Sequence, residues 1–148
     1  MNNYPSWWDD TITLYNKYIE PGTKKVKWYR HVLEGCFYKH TVEKITVGKT
    51  TLDANVSVCR IRVSDDFIDK KSWMALSDEE RAQHFTLSGG DIIVADEIDF
   101  EIDEYEAGQR SSDLIKDNKE WPGCFTVETV NINTDGGRGN EHYHVRGT

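Results

Sequence analysis

Two stretches hold residue types that do chemistry. Residues 96–106 read DEIDFEIDEYE, seven acids in eleven positions, and residues 142–144 read His-Tyr-His. Alternation of apolar and charged residues marks a strand buried on one face. The first segment is therefore expected to turn Ile98, Phe100 and Ile102 inward and Glu97, Asp99, Glu101 and Asp103 outward. On a strand, the imidazoles of His142 and His144 share a face about 6–7 Å apart.

Each pattern is compatible with a metal. Two histidines with an acid nearby resemble part of a zinc or iron site, but no HExxH, no CxxC and no third ligand at a diagnostic spacing accompanies them. The acids suit Ca²⁺ or Mg²⁺, which take oxygen ligands. Acids two apart on a strand, however, point the same way and do not curl around one ion as a loop does, and the DxDxDG pattern is missing. A hydrolytic carboxylate pair needs one member desolvated so that its pKa rises, and a run of adjacent exposed acids supplies no such asymmetry. Ser111 and Ser112 lack a GxSxG context, and no cysteine stands in a recognised Cys–His signature. The SGGD at 88–91 is too short for a phosphate loop, and Asp91 would repel phosphate. The expectation is a protein with no catalytic residues, no cofactor and no metal, in which the acid face repels or mates.

The elements that must position these residues are mostly strands. TITLYNKY (11–18) alternates and ends at Pro21-Gly22. VKWYRHVLEGCFYKHTVEK (26–44) is a long strand-prone run in which Gly35 marks a bulge or bend. ANVSVCRIRV (54–63) sets Val56, Val58, Arg60 and Arg62 against Asn55, Ser57, Cys59, Ile61 and Val63. From Ser64 the period of two is lost, and Ser77 with Glu80 forms a capping box opening a short helix through SDEERAQHF. FTLSGGDIIVADEIDFEID returns to strand texture, with a turn at Gly89-Gly90. The polar stretch 106–123 is a long loop with a helical turn around Ser112 to Lys116, anchored by Trp121 before Pro122-Gly123. CFTVETVNINT and NEHYHVRGT then form a hairpin through residues 135–139. Six or seven strands and one or two short helices indicate a mostly β fold, a small antiparallel barrel or sandwich. Residues 1–10 form an N-terminal arm and 11–148 a single barrel-like domain.

At 148 residues with 30% charged, the chain is long enough for one core. No stretch approaches the roughly 18 apolar residues of a membrane span. MNNYPSWWDDT has neither the basic nor the apolar region of a secretory signal. Cys36, Cys59 and Cys124 are an odd set in apolar surroundings, expected to be buried reduced thiols in a protein folded in a cytoplasm. The net charge of −8 argues against a general grip on nucleic-acid phosphates. It is unevenly placed: residues 1–63 carry +4, residues 64–120 carry −11 and residues 121–148 carry −1. Such polarity concerns partners more than fold. Trp7-Trp8 on the arm packs back on the barrel or into a neighbouring subunit, whereas Trp73 belongs in the core.

The order of WMALSDEER (73–81), FTLSGGDIIV (85–94), Asp96-Glu97-Ile98, TVNINT (129–134) and His142-Tyr143-His144-Val145 resembles a family of small proteins of tailed phages of Gram-positive hosts. These are head-completion or head–tail connector (neck) proteins, and GDIIV is also similar to a strand of the β-barrel head-closure proteins. The resemblance runs from about Ile12 to Val145. It implies a ring-forming, non-enzymatic virion component between portal or adaptor and tail, assembled in the host cytoplasm around passing genomic DNA that it does not bind specifically. Rings need one patch to meet a different patch on the next copy. The acidic face Glu97, Asp99, Glu101 and Asp103 is then expected either to line the channel or to meet a basic patch such as Lys24, Lys25, Lys27 and Arg30, with Trp7 and Trp8 as further interface candidates. The alternatives are a tail terminator or other tail-associated structural protein, a metal-binding protein or metal-dependent enzyme using His142, His144 and nearby acids, and a carbohydrate- or protein-binding barrel using Trp7-Trp8 or the 106–123 loop.

Overall fold

The structure, a computed structural model, describes residues 4–118, 123–133 and 141–148, with backbone alone at 42–45 and 52–55. Six strands close into an antiparallel barrel: β1 (Asp10–Ile19), β2 (Val26–Val47), β3 (Thr50–Arg62), β4 (Ile92–Val94), β5 (Cys124–Asn133) and β6 (His142–Gly147). Their order around the wall is β1-β2-β3-β6-β5-β4. Three short helices accompany them: α1 (Lys70–Met74), α2 (Asp78–Gln83) and α3 (Ser111–Asp117). The barrel and its antiparallel pairing agree with the sequence reading. A third helix, α1, was not expected there; five residues with one buried side chain, Trp73, are too few to show a helical period.

Strand alternation builds the barrel. Ile12 and Leu14 point inward with Cys36, Cys59, Ile61, Ile93, Phe125, Val127 and Val145. The opposite face of the same strands carries a second cluster, in which Tyr15, Trp28, Ile92 and Val94 are covered by Ile102 and Leu114. That is why all three residues of β4 are buried: Ile93 fills the interior while Ile92 and Val94 lie under the outer cover. Each such aliphatic side chain contributes about 1.5–3 kcal/mol by leaving water.

Gly35 sits at a bulge, as its place in a strand suggested. The register passes from Asp10↔Cys36 to Ile12↔Leu33, so β2 carries one extra residue. Gly35 takes φ +68° there, and a Cβ would meet the Arg62 guanidinium at 2.8 Å. Ser77 caps α2 as its capping box foretold, its hydroxyl accepting from the Glu80 amide.

The long β2 changes partner midway. It pairs with β1 up to Cys36 and with β3 from Phe37↔Arg60 out to Val47↔Thr50. On its other side β3 pairs with β6 only from Arg62↔His142 to Ser57↔Gly147. Beyond that last rung, residues 41–47 and 50–56 continue as a two-stranded arm, and among the described residues no third strand pairs with either edge.

Candidate functional site

The acidic segment 97–103 is not a strand, which corrects the sequence reading; it is extended chain without a ladder. Its alternation is nonetheless real. Ile98, Phe100 and Ile102 turn toward the outer face of β1, β2 and β4, and Glu97, Asp99, Glu101 and Asp103 are exposed. Period two reports one-sided burial, not backbone pairing. The closed barrel has already used the neighbouring strand edges, so side chains hold this segment instead of a partner strand. The Thr13 hydroxyl donates to the Asp96 carbonyl at 2.7 Å and accepts from the Ile98 amide at 3.0 Å. Arg30 Nε donates to the Ile98 carbonyl at 2.7 Å, and the Tyr15 hydroxyl donates to the Phe100 carbonyl at 2.7 Å. Burial lifts the Tyr15 phenol to about 12, with Arg30 acting against the rise and Glu101 and Asp99 with it. It stays a neutral donor at every physiological pH.

The basic candidates are partly engaged within the chain. Arg30 is the clamp just described, and Lys27 forms an ion pair with Asp78. Lys24 and Lys25 are exposed at the β1–β2 turn, where Lys24 takes a positive φ of 61°. Across from that turn, a cleft of about 490 Å³ sets Lys25 and Lys27 against Glu101 and Asp103, with Trp28 between. Acids and bases thus line one cleft, with no ion pair between Lys25 or Lys27 and Glu101 or Asp103 among the described residues.

The tryptophans of the N-terminal arm separate. Trp8 is 4% exposed, stacked on Tyr4 and Phe37, edge-on to His142, and its carbonyl accepts from Arg62 Nη2 at 3.0 Å. Trp7 is 56% exposed, with an edge on Phe37. Trp73 is fully buried, as expected of a core residue. Trp121 and the 135–139 turn lie outside the described residues.

His142 and His144 do share the outward face of β6, but their company is cationic. Burial lowers the His144 pKa, and Arg60, His142 and Arg146 lower it further. Among the described residues no three His, Cys, Asp or Glu side chains gather as a metal set. Cys36 and Cys59 are buried free thiols and Cys124 is a half-buried one.

Two polar networks were invisible in the sequence. Asp91, fully buried, accepts from the Lys17 amide, the Ser88 amide and Asn16 Nδ2, while Asn16 also bridges to the Thr86 backbone. Arg81, 8% exposed, joins Tyr29, the carbonyl of Met74 at the end of α1 and that of Leu76 just beyond it. The only sequence signal for either was a polar residue at an inward strand position, Asn16, two residues beyond Leu14.

His31 supplies a pH prediction. Burial holds its imidazole down at about 4, with His84 adding to the fall and Asp66 opposing it, and its Nε2 has no partner. The fold keeps the neutral ring while the unfolded chain protonates near 6.5, so the His31 contribution to stability is full above 6.5 and declines as pH drops toward 4. Across that window the unfolding free energy of the parent minus that of His31→Leu should fall by up to about 3 kcal/mol as pH drops.

No curated protein and no solved structure matches the chain. Residues 7–148 match a family described as a family of unknown function, DUF6751, and the chain belongs to that family.

Proposed function

We propose that the chain is a structural subunit of a phage virion, a head-completion or head–tail connector component of the neck that joins portal or adaptor to tail around the DNA channel. The observation that carries this reading is the β2–β3 arm. A closed barrel hides its strand edges, yet here two strands run past the last β3–β6 rung with both outer edges unpaired among the described residues. Backbone groups presented this way suit strand addition by a neighbour, and the exposed arm tip, with Val47 at 62% exposure, offers apolar surface to bury. The exposed acids of 97–103 suit the wall of a passage through which phosphates must slide, since a basic wall would hold them.

The test is assembly. Co-expressed with the portal and tail proteins of its own genome, the full chain should join a ring visible by negative-stain microscopy. A variant with residues 42–55 replaced by Gly-Gly should keep a cooperative thermal transition, because that stretch runs past the last β3–β6 rung of the barrel wall, and should lose ring incorporation by about tenfold or more. Particles that lack the chain and still have complete, tail-bearing necks would overturn the proposal.

A further inference from the structure

We infer that the pocket beside Arg81 is a carboxylate-binding site. It lies between α2 and the ends of β1 and β2, with a volume of about 320 Å³ and walls that include Tyr18, Tyr29, Lys25 and Lys27. Arg81 is more than nine-tenths buried and its guanidinium is fixed on three sides. It stacks over the Tyr18 ring at 4.0 Å, its Nε donates to the Tyr29 hydroxyl at 3.1 Å, and its Nη1 donates to the carbonyls of Met74 and Leu76.

Those partners leave Nη2 over. Among the described residues it has no hydrogen-bond partner, and Arg81 lines the open pocket. Nor, among the described residues, does any carboxylate form an ion pair with the guanidinium. The nearest acid in the network, Asp78, is reached only through the Tyr29 hydroxyl, which donates to its Oδ1 at 2.5 Å, and Lys27 pairs with that same oxygen. Lys27 and Tyr29, with the Arg81 charge adding to them, hold the Asp78 carboxyl below its ordinary value, so it is an anion whose hydrogen bonds go to Lys27 and Tyr29 and not to Arg81. A buried cation ordinarily has an anionic partner. Here the nearest anion, Asp78, acts on Arg81 only through space, and the guanidinium, already oriented by its other partners, lines the open pocket together with Lys25 and Lys27.

A carboxylate fits better than a larger oxyanion. Glu20 and Asp78 share the pocket wall and would repel a doubly charged phosphate. A single −1 charge meets a local excess of one positive charge, from Lys25, Lys27 and Arg81 against those two acids. The aromatic walls accept the short aliphatic stem of a small acid or of a Glu or Asp side chain. This inference does not rest on the neck reading.

The experiment follows the Arg81 Nε–H resonance of the ¹⁵N-labelled full chain during titration with sodium acetate, with sodium chloride as the control. The expected result is a saturable shift at about 1–20 mM acetate, the range of a few charge-assisted hydrogen bonds, and no saturation with chloride. Lys27→Gln, a substitution at an exposed side chain, should weaken the acetate affinity about two- to fivefold and leave the fold intact. Sedimentation separates the sources of the acid. A protein-concentration-dependent dimer dissolved by acetate assigns it to a second copy, and a monomer with saturable acetate binding assigns it to a free small acid. A shift equal for acetate and chloride, or none, would overturn the site.

Discussion

Asp91→Ala is expected to lower the unfolding free energy by about 3–5 kcal/mol, a large part of the stability of a domain this size. The Asp91 carboxylate stands at the foot of the Gly89-Gly90 turn and accepts from the amides of Lys17 and Ser88, both at 2.9 Å, and from Asn16 Nδ2 at 3.0 Å. Removing it strands buried donors on β1, on the turn and on Asn16 together, each at about 1–3 kcal/mol. Lys70 also loses the anion whose charge opposes its burial. Burial raises the Asp91 carboxyl to about 6, against the pull of the Lys17 amide, Lys70 and Ser88. It is ionised at pH 7, and the sign of its linkage is the reverse of the usual carboxylate: its own contribution to stability falls as pH rises from about 4 through 6, opposite in sign to that of His31. Asp91→Asn should remove that slope and still be destabilised, because its NH₂ faces donors. Urea midpoints at pH 4.5 and 7 measure both; an Ala variant within 1 kcal/mol of the parent at pH 7 would refute the account.

Gly147→Ala should do comparable damage from a position that looks innocuous. A Cβ there would stand 1.9 Å from the Thr126 carbonyl oxygen and 2.6 Å from Phe125 Cδ2. The first contact is with backbone, which no rotamer change relieves. β6 must therefore lift from β5, losing rungs near Val127↔Gly147 and disturbing Phe125, which is 2% exposed in the core. Overpacking of this kind ordinarily costs about 1–3 kcal/mol, and a clash with backbone lies at or beyond the upper end. Because Gly147 also pairs with Ser57 at the root of the arm, hydrogen exchange should quicken at β3 and β5 alike. Gly108→Ala, where a Cβ would meet nothing within 4 Å, serves as the comparison; its own φ of +84° limits the penalty to about 1 kcal/mol.

The elements with a single environment were legible from the residues. One face of each of β1, β2, β3, β5 and β6 fills the same interior, although β1 and β2 also bury Tyr15 and Trp28 on the outer face, and α2 announced itself through Ser77 and Glu80. The segment from Ile98 to Ile102 misled because its pattern is that of a strand while its backbone bonds go to Thr13, Arg30 and Tyr15, side chains more than sixty residues away. Nothing local distinguishes an extended chain lying on a sheet from a strand within it. Arg81 and Asp91 were unreadable for a related reason. Each owes its role to burial, and burial of a charged residue depends on partners that the fold assembles from distant segments. Trp7-Trp8 lay between these cases: adjacency could not say which ring would be covered, and both touch Phe37, but Trp8 also packs on Tyr4 and His142.

The arm has a mechanical consequence. Its two strands run without a break into β2 and β3, which are staves of the barrel wall. Tension applied along the arm is therefore passed into the β1–β2 and β3–β6 ladders parallel to the strands. Hydrogen bonds loaded in that direction share the force and must fail together, whereas bonds loaded at one end of a ladder open one at a time. A pull at the tip is resisted by the whole wall, so the rate of forced unfolding is set by the barrel rather than by the arm.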